Sequence, residues 1–273
     1  MGRNTWIACA LALVSGLAGG AHASAQPPVP VEVTGATYTE YDARTGVWII
    51  RGAPVVLTRG GTRVEAGTIR YESSTGAFAS TGGVVVRHDA LLLQAARAEG
   101  RLRDGYVLAQ GEVVVTERRQ DGEARLAADR VEVQLRERVF AATGRPTLSH
   151  RDARLSGERL DYDGKTIVTL TGGAELVVAG GSLRADRIEA NLAEQTAEAR
   201  GNVRFTGGDL AGEAPVARVD RRIEQATLTG GAVLRRGSDV LSAQTITIDL
   251  RTQRAVASGQ PRLILGAPPA PRN

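Results

Sequence analysis

The chain has 273 residues, of which 42% are hydrophobic but only 4% aromatic, and 33 are glycines. This composition is unusual for a compact enzyme core and typical of many short strands that tight turns connect. The formal net charge is +4, with both signs interspersed, whereas a nucleic-acid-binding protein clusters its basic residues near stacking aromatics. Composition and charge therefore favour an all-β protein and argue against a nucleic-acid partner.

The first 25 residues predict a cleaved signal peptide. Arg3 supplies the positive charge, residues 6–17 the apolar segment, and Ala23-Ser24-Ala25 a cleavage site before Gln26. The apolar run is short for a membrane span, so an uncleaved anchor is the less favoured alternative. Cys9 is the single cysteine and lies inside this segment. The exported chain, expected in the periplasm, therefore has no disulfide to stabilise it.

The rest of the chain predicts one elongated domain between two short extended segments. Residues 26–30 are rich in proline and predict an extended leader. Residues 31–265 predict a single domain of repeats, and residues 266–273 a flexible proline-rich tail.

Glycines recur along residues 31–265 at intervals of 28 to 33 residues, each inside a run of alternating small and apolar residues. The positions two and four residues before and after each glycine share one parity, so their side chains lie on one face of a long strand. We expect the glycine on that same face, where it lets the strand bend across two opposed sheets. These marker glycines are Gly52, Gly82, Gly111, Gly144, Gly172, Gly201, Gly230 and Gly259.

A second strand fills each unit of about 29 residues. Its pattern is Leu-x-Ala-x-x-Ile, as in Leu183, Ala185 and Ile188. The parity slips by one residue between the alanine and the isoleucine, which predicts a β-bulge opposite the neighbouring glycine. Residues 183–200 would also suit a helix, but equivalent units elsewhere contain poor helix formers such as Thr245-Ile-Thr-Ile248. The repeats therefore predict roughly 16 antiparallel strands.

The apolar face predicts a seam between two sheet layers. Composition leaves two interpretations open: a sealed sandwich core, or a groove that holds acyl chains, which the many small residues favour. The residues predicted to line the groove are Val84, Val86, Val113, Val115, Val131, Val133, Leu148, Leu160, Leu170, Leu176, Ile188, Val203, Phe205, Leu234, Ile246 and Ile248.

The repeats resemble those of the LptA/OstA family. The segments that carry the resemblance are Ala185-Asp-Arg-Ile188, Ala197 to Phe205 and Ala109 to Val115. Each motif is short, and their repetition in phase is the specific part. The resemblance implies a periplasmic β-jellyroll with a V-shaped section whose interior holds lipid A acyl chains. It also implies end-to-end pairing with other transport proteins, forming a lipopolysaccharide bridge from inner to outer membrane.

Two other functions compete with the transport bridge. One is a structural or adhesive β-solenoid of the envelope, and the other is a membrane-anchored partner of the bridge. We expect no enzyme, cofactor or metal, because His88 and His150 are isolated in the sequence and no carboxylates converge. We expect partners, self-association included, to pair with the two terminal strands, whose predicted contact residues are Val31, Val33, Tyr38, Leu263 and Leu265.

Overall fold

The computed structural model of the chain describes residues 29–119, 122–151, 153–178, 181–191 and 193–266. Throughout these residues the regular structure is β-strand, with no helix, so the all-β prediction is confirmed. The chain divides into two compact units, an N-terminal unit that ends at Gly144 and a C-terminal unit that begins at Arg145. The predicted signal peptide, residues 26–28 of the leader and residues 267–273 of the tail lie outside the described residues.

The described part of the N-terminal unit contains eight strands, each antiparallel to the next. They are β1 (Glu32–Asp42), β2 (Val47–Arg59), β3 (Thr62–Glu72), β4 (Ala77–His88), β5 (Leu91–Arg101), β6 (Tyr106–Arg119), β7 (Gly122–Gln134) and β8 (Val139–Thr143).

The described part of the C-terminal unit contains eleven strand segments, all paired antiparallel. They are β9 (Thr147–His150), β10 (Ala153–Ser156), β11 (Arg159–Tyr162), β12 (Ile167–Val178), β13 (Gly181–Asn191), β14 (Thr196–Gly207), β15 (Leu210–Asp220), β16 (Gln225–Arg236), β17 (Asp239–Asp249), β18 (Ala255–Ser258) and β19 (Arg262–Ile264).

Several short segments are halves of one predicted strand. Strands β10 and β11 pair with the two halves of β12, and β18 and β19 pair with the two halves of β17. Strands β8 and β9 are likewise one predicted strand, interrupted after Thr143. The nineteen segments therefore agree with the predicted total of roughly 16 strands. Residues 183–200, for which the sequence offered a helix as the alternative to strands, form most of β13 and the start of β14.

The long strands bend at a pair of left-handed residues. In β14, Gly201 has φ +75° and Asn202 has φ +49°; among residue types, glycine and asparagine adopt this region at the lowest cost. Arg200 pairs with Val216 and Val203 with Ala214, so two residues of β14 lie opposite Pro215 alone. The same paired conformation occurs at Gly82/Gly83, Gly111/Glu112, Gly144/Arg145, Gly172/Gly173, Gly230/Gly231 and Gly259/Gln260.

The bulge lies in the glycine-bearing strand itself, because two of its residues lie opposite one residue of the neighbouring strand. The prediction that the second strand carries the bulge is therefore wrong. Apart from Gly52, which has no left-handed φ, the marker glycines face outward at the bend. A side chain at Gly201 would collide with the exposed Asp186, whose carboxylate accepts a bond from Asn202 Nδ2 at 2.9 Å. At Gly259 a Cβ would lie 2.6 Å from Cβ of the exposed Gln244. The expectation that the glycine lies on the apolar face is wrong, because two consecutive left-handed residues interrupt the alternation.

Aspartates hold the polar turns that follow many of the strands. Asp249 accepts backbone N–H bonds from Thr252 at 2.7 Å and Arg251 at 3.0 Å. The Thr252 N–H, followed by the Thr252 hydroxyl, lowers the pKa of the Asp249 carboxyl below its ordinary value. Asp163 accepts three such N–H bonds in its own turn. The predicted turns after Tyr162 and Ile248 therefore form around ionised carboxylates.

Replacing a marker glycine by alanine should destabilise the protein through both strain and collision. For Gly201→Ala we expect a loss of about 2–4 kcal/mol in the free energy of unfolding, because Ala is strained at this φ and meets Asp186. Gly82→Ala is the control: Gly82 has φ +85° but open space around its side-chain position, so it should lose only about 1–2 kcal/mol. Urea unfolding measures both, and equal losses would contradict the collision.

Candidate functional site

Each long strand is divided by its bend into two arms. We call A arms the halves that meet at the aspartate turns, such as the turn after Asp249, and B arms the halves that meet at turns such as Gly60-Gly61. In β4 the buried side chains are Phe78 and Ser80 of the A arm and Val84 and Val86 of the B arm, with more exposed residues between them. Each arm thus contributes an inner apolar row near the bend and an outer row near the turns.

Burial shows that the A arms cover the B arms within each unit. In the N-terminal unit Val64, Ile69 and Leu93 have 0% exposure, and in the C-terminal unit Leu160 and Ile246 have the same. Either face of a single sheet layer is open to water, so such burial requires a second layer. The other arm of the bent strands supplies that layer. We call the enclosed apolar space of each unit its seam.

A shallow cavity of about 520 Å³ marks the mouth of the N-terminal seam. Arg59, at the B-arm end of β2, lines it together with Tyr71 and Arg103, which lie at A-arm ends. The ends of the two arms therefore face each other. Residues 29–31 of the predicted leader line the same cavity, so this part of the leader runs beside the mouth.

All sixteen residues predicted to line the groove belong to buried rows of the two seams. Four of them are partly exposed, namely Val115, Leu148, Leu176 and Phe205. The other twelve are buried: Val84, Val86, Val113, Val131, Val133, Leu160, Leu170, Ile188, Val203, Leu234, Ile246 and Ile248. Contact of these residues with lipid stays a prediction.

The seam of the N-terminal unit is closed along most of its outer rows. The B-arm outer row runs across the strands as Leu57, Val64, Val86 and Leu93, each with 0% exposure, and continues through Val115, which is partly exposed, to Leu126 at 3%. The A-arm outer row begins with Trp48, which pairs with Tyr71 of the next strand and stacks on Tyr41 with ring centroids 4.4 Å apart.

The seam of the C-terminal unit is more open at the same rows. Its B-arm outer row runs through successive cross-strand neighbours from Leu148 to Leu241. The partly exposed members of this row are Leu148, Leu155, Leu176, Phe205 and Leu241. The Phe205 ring occupies the space where Gly212 has no side chain. Sequence reasoning treated all the repeats as equivalent and missed this difference between the two units.

The outward faces of the strands carry exposed ion pairs. Arg184 and Glu175 approach to 2.8 Å, and Arg204 lies 3.7 Å from Glu213. Such surface pairs contribute roughly 0–1 kcal/mol each, so they keep these faces solvated without adding much stability. Among the described residues no group of His, Cys, Asp and Glu is arranged to hold a metal ion. The described part of the chain also has no helix long and apolar enough to span a membrane.

The first and last described strands each pair on one side only. Every residue of β1 is exposed, including Val33 and Tyr38, and β1 pairs with β2. Strand β19 pairs with β17, and Leu263 is 60% exposed although its partner Leu241 belongs to the seam. Of the other predicted edge residues, Leu265 is 71% exposed and Val31 is half-buried. The backbone of both edges is therefore available for pairing.

The sequence matches the family model described as LptA/(LptD N-terminal domain) LPS transport protein, over residues 92–196 and 189–254. Together these matches span more than half of the chain. The chain is also similar to the crystal structure of LptH, the LptA-homologous periplasmic component of the conserved lipopolysaccharide transport device from Pseudomonas aeruginosa. The identity is 12% and the TM-score 0.27, over 53% of this chain and 95% of LptH. No curated protein sequence gives a match.

The difference in packing between the seams predicts a difference in stability. Leu93→Ala should lower the free energy of unfolding by about 3–4 kcal/mol, because it leaves a cavity at a fully buried site. Leu176→Ala is the matched control, since Leu176 occupies the equivalent row of the C-terminal unit but is partly exposed; it should cost about 1–2 kcal/mol. Urea denaturation followed by circular dichroism measures both losses. An equal loss would contradict the difference.

Proposed function

The chain belongs to the family of LptA and LptD N-terminal-domain lipopolysaccharide transport proteins, and from this premise we propose that it binds lipopolysaccharide in the periplasm. In this proposal the acyl chains lie in the apolar seam of the bent sheet. The chain then forms one segment of a bridge that passes the lipid from the inner to the outer membrane. No catalytic step is part of this function.

The chemistry of the seam supports an acyl-chain ligand. In the described part of the chain the buried polar side chains are Thr62 and Ser80. Thr62 Oγ1 lies 2.9 Å from His88 Nδ1, and the Ser80 hydroxyl donates to the Thr68 carbonyl at 3.0 Å. Both are thus already partnered, and the rows otherwise offer apolar contacts. A ligand with polar groups would lose hydrogen bonds in such a space, whereas an acyl chain has none to lose.

The observation that carries the proposal is the partly exposed leucine row of the C-terminal unit. A sealed structural sandwich would bury that row completely, as the N-terminal unit buries its own from Leu57 to Leu93. Leu183 and Leu234 of this row are buried, but Leu148, Leu155, Leu176, Phe205 and Leu241 stay partly exposed. Several large apolar side chains that stay partly exposed in one row are typical of a ligand-binding surface.

The free edges support pairing with further transport domains. The apolar rows continue to the last strand at each edge, where Val33 and Leu263 are exposed. A strand added to either edge would satisfy the open backbone groups and cover these side chains at the same time. We propose that a second copy of the chain, or another domain of the same family, supplies that strand. Pro261 lacks an N–H, so it limits pairing just before β19.

Photo-crosslinking tests whether lipid enters the seam. With benzoylphenylalanine at Phe205, whose side chain lies in the seam, we expect ultraviolet light to attach lipopolysaccharide in cells. The control is the adjacent Arg204, which is exposed on the outward face. Adducts are identified by immunoblotting and mass spectrometry. Lipid captured equally at both positions, or at neither, would contradict the proposed function.

The same chemistry tests the edges. We expect benzoylphenylalanine at Tyr38 or Leu263 to give protein adducts that contain a second copy or another domain of this family, because both positions lie on strands with an open side. Arg218 in the interior strand β15 is the control, since β15 has neighbours on both sides. Mass spectrometry identifies the captured protein. Equal capture at Arg218 would argue against edge pairing.

A further inference from the structure

We infer that the two seams have different roles: the C-terminal unit holds the acyl chains, and the N-terminal unit is closed to them. This inference rests on the proposed function and specifies where on the chain its ligand lies. It follows from the side chains that occupy equivalent positions of the repeat in the two units.

The A-arm outer row is aromatic in the N-terminal unit. The position four residues before the marker glycine is Trp48 in β2, Phe78 in β4 and Phe140 in β8, with Val107 in β6 as the exception. Phe78 is 3% exposed and pairs with Tyr71, which in turn pairs with Trp48. Three consecutive strands therefore place an aromatic side chain at the seam, and each ring buries a large apolar area.

The same position in the C-terminal unit is small. It is Ala197 in β14, Ala226 in β16 and Ala255 in β18, with Val168 in β12 as the exception. Ala197 pairs with Ala190 of β13, and both are partly exposed. The A arm therefore presents adjacent methyl groups where the N-terminal unit presents rings.

The exposure of the B-arm outer row also differs between the two units. Val86 and Leu176 both lie four residues after their marker glycine. Valine is the smaller side chain, yet Val86 has 0% exposure while Leu176 is partly exposed. If the opposite arm covered this row equally in both units, the leucine would be buried at least as well as the valine. The exceptions at this position are Val115, which is partly exposed, and Leu234, which is 6% exposed; in the C-terminal unit Leu148, Leu176 and Phe205 are all partly exposed. The facing layer therefore covers less of this row in the C-terminal unit.

At the aspartate turns, too, leucine side chains are more exposed in the C-terminal unit than in the N-terminal unit. Leu102 and Leu135 of the N-terminal unit are 3% and 2% exposed, whereas Leu250 of the C-terminal unit is 44% exposed. All three make the same kind of backbone bond to the preceding A-arm turn, from Leu102 to Gly76, Leu135 to Gly105 and Leu250 to Glu224. The backbone position is thus equivalent. Two A-arm turns of the N-terminal unit therefore bury a leucine at this position, whereas Leu250 stays exposed; the exposed Ser73 occupies the same position after β3.

The open row of the C-terminal unit suits an acyl chain in length as well as in chemistry. From Leu176 in β12 to Leu241 in β17 the row crosses six strands, which is about 24 Å at ~4.8 Å between neighbouring strands. One leaflet of the hydrocarbon core of a bilayer is about 15 Å thick. An extended acyl chain therefore fits within the length of this row, whose members are leucine except for Phe205 and Gly212.

A pair of photo-crosslinking sites tests the inference in the full-length chain. A diazirine analogue of leucine, which is small enough for a packed row, is placed at Leu176 or at Val86, and purified lipopolysaccharide is added. We expect adducts at Leu176 to exceed those at Val86 by about tenfold or more, because Leu176 is partly exposed and Val86 is fully buried. Equal adducts at the two sites, or more at Val86, would overturn the inference while leaving the proposed function in place. No adduct at Leu176, Val86 or Phe205 would overturn both.

A filling substitution provides a second, independent readout. Ala197→Phe puts into the C-terminal seam the side chain that Phe78 has in the N-terminal seam, and it should reduce lipopolysaccharide binding by about tenfold or more. Glu198→Phe adds the same ring to the other face of the same strand and should leave binding unchanged. Circular dichroism and urea unfolding establish that each variant is folded. Undiminished binding by folded Ala197→Phe would overturn the inference.

Discussion

The fold depends on a pair of left-handed residues that recurs in every second long strand from β4 onward and bends the sheet back over its own apolar side. Without the bend, the alternating rows of valine, leucine and alanine would lie on one face of an open sheet and remain in contact with water. At Gly201 and Asn202 the backbone of β14 turns and bulges, and the asparagine side chain donates to the carboxylate of Asp186 on the neighbouring strand. One local device therefore creates the second layer that the seam requires.

Repetition of this device leaves each unit free to vary what fills its seam. Apolar burial stabilises the chain where the rows are filled, as around Ile69 and Leu93. The described residues contain no disulfide that would add to this stability. A lipid-binding surface needs the opposite, because its apolar side chains must stay accessible. The N-terminal unit supplies the packed rows and the C-terminal unit the accessible ones. On this account stability and binding are separated along one chain rather than in competition at one site.

Much of the fold could be predicted because the repeat aligns equivalent positions. The parity of the residues around Gly201 identifies the buried face, and the slip between Ala185 and Ile188 locates the bend in the neighbouring strand, although the extra residue lies in the glycine strand. The second left-handed residue could not be read in the same way, since Glu112 and Gln260 adopt that conformation at positions where asparagine or glycine occurs elsewhere. The outward direction of the glycine follows from that second residue, so it was missed as well.

The difference between the two seams was present in the sequence but could not be interpreted there. Trp48 and Phe78 stand at the repeat position that Ala197 and Ala226 occupy later in the chain. This exchange of aromatic residues for alanines can be interpreted only once it is known that the position faces the outer row of the other arm. The structure shows this through the burial of Val86 compared with the partial exposure of Leu176. The alternation of apolar residues in the sequence does not show it.

The most direct measurement of the central claim is methyl NMR of the purified chain with a lipopolysaccharide that carries a nitroxide on an acyl chain. The nitroxide broadens the signals of methyl groups close to it. The account predicts broadening of Leu176 and Leu241 methyl signals, with those of Leu93 and Val86 preserved. Broadening confined to methyl groups outside the seams, such as those of Val256 and Ile223, would contradict the claim that the acyl chain lies between the arms of the bent sheet.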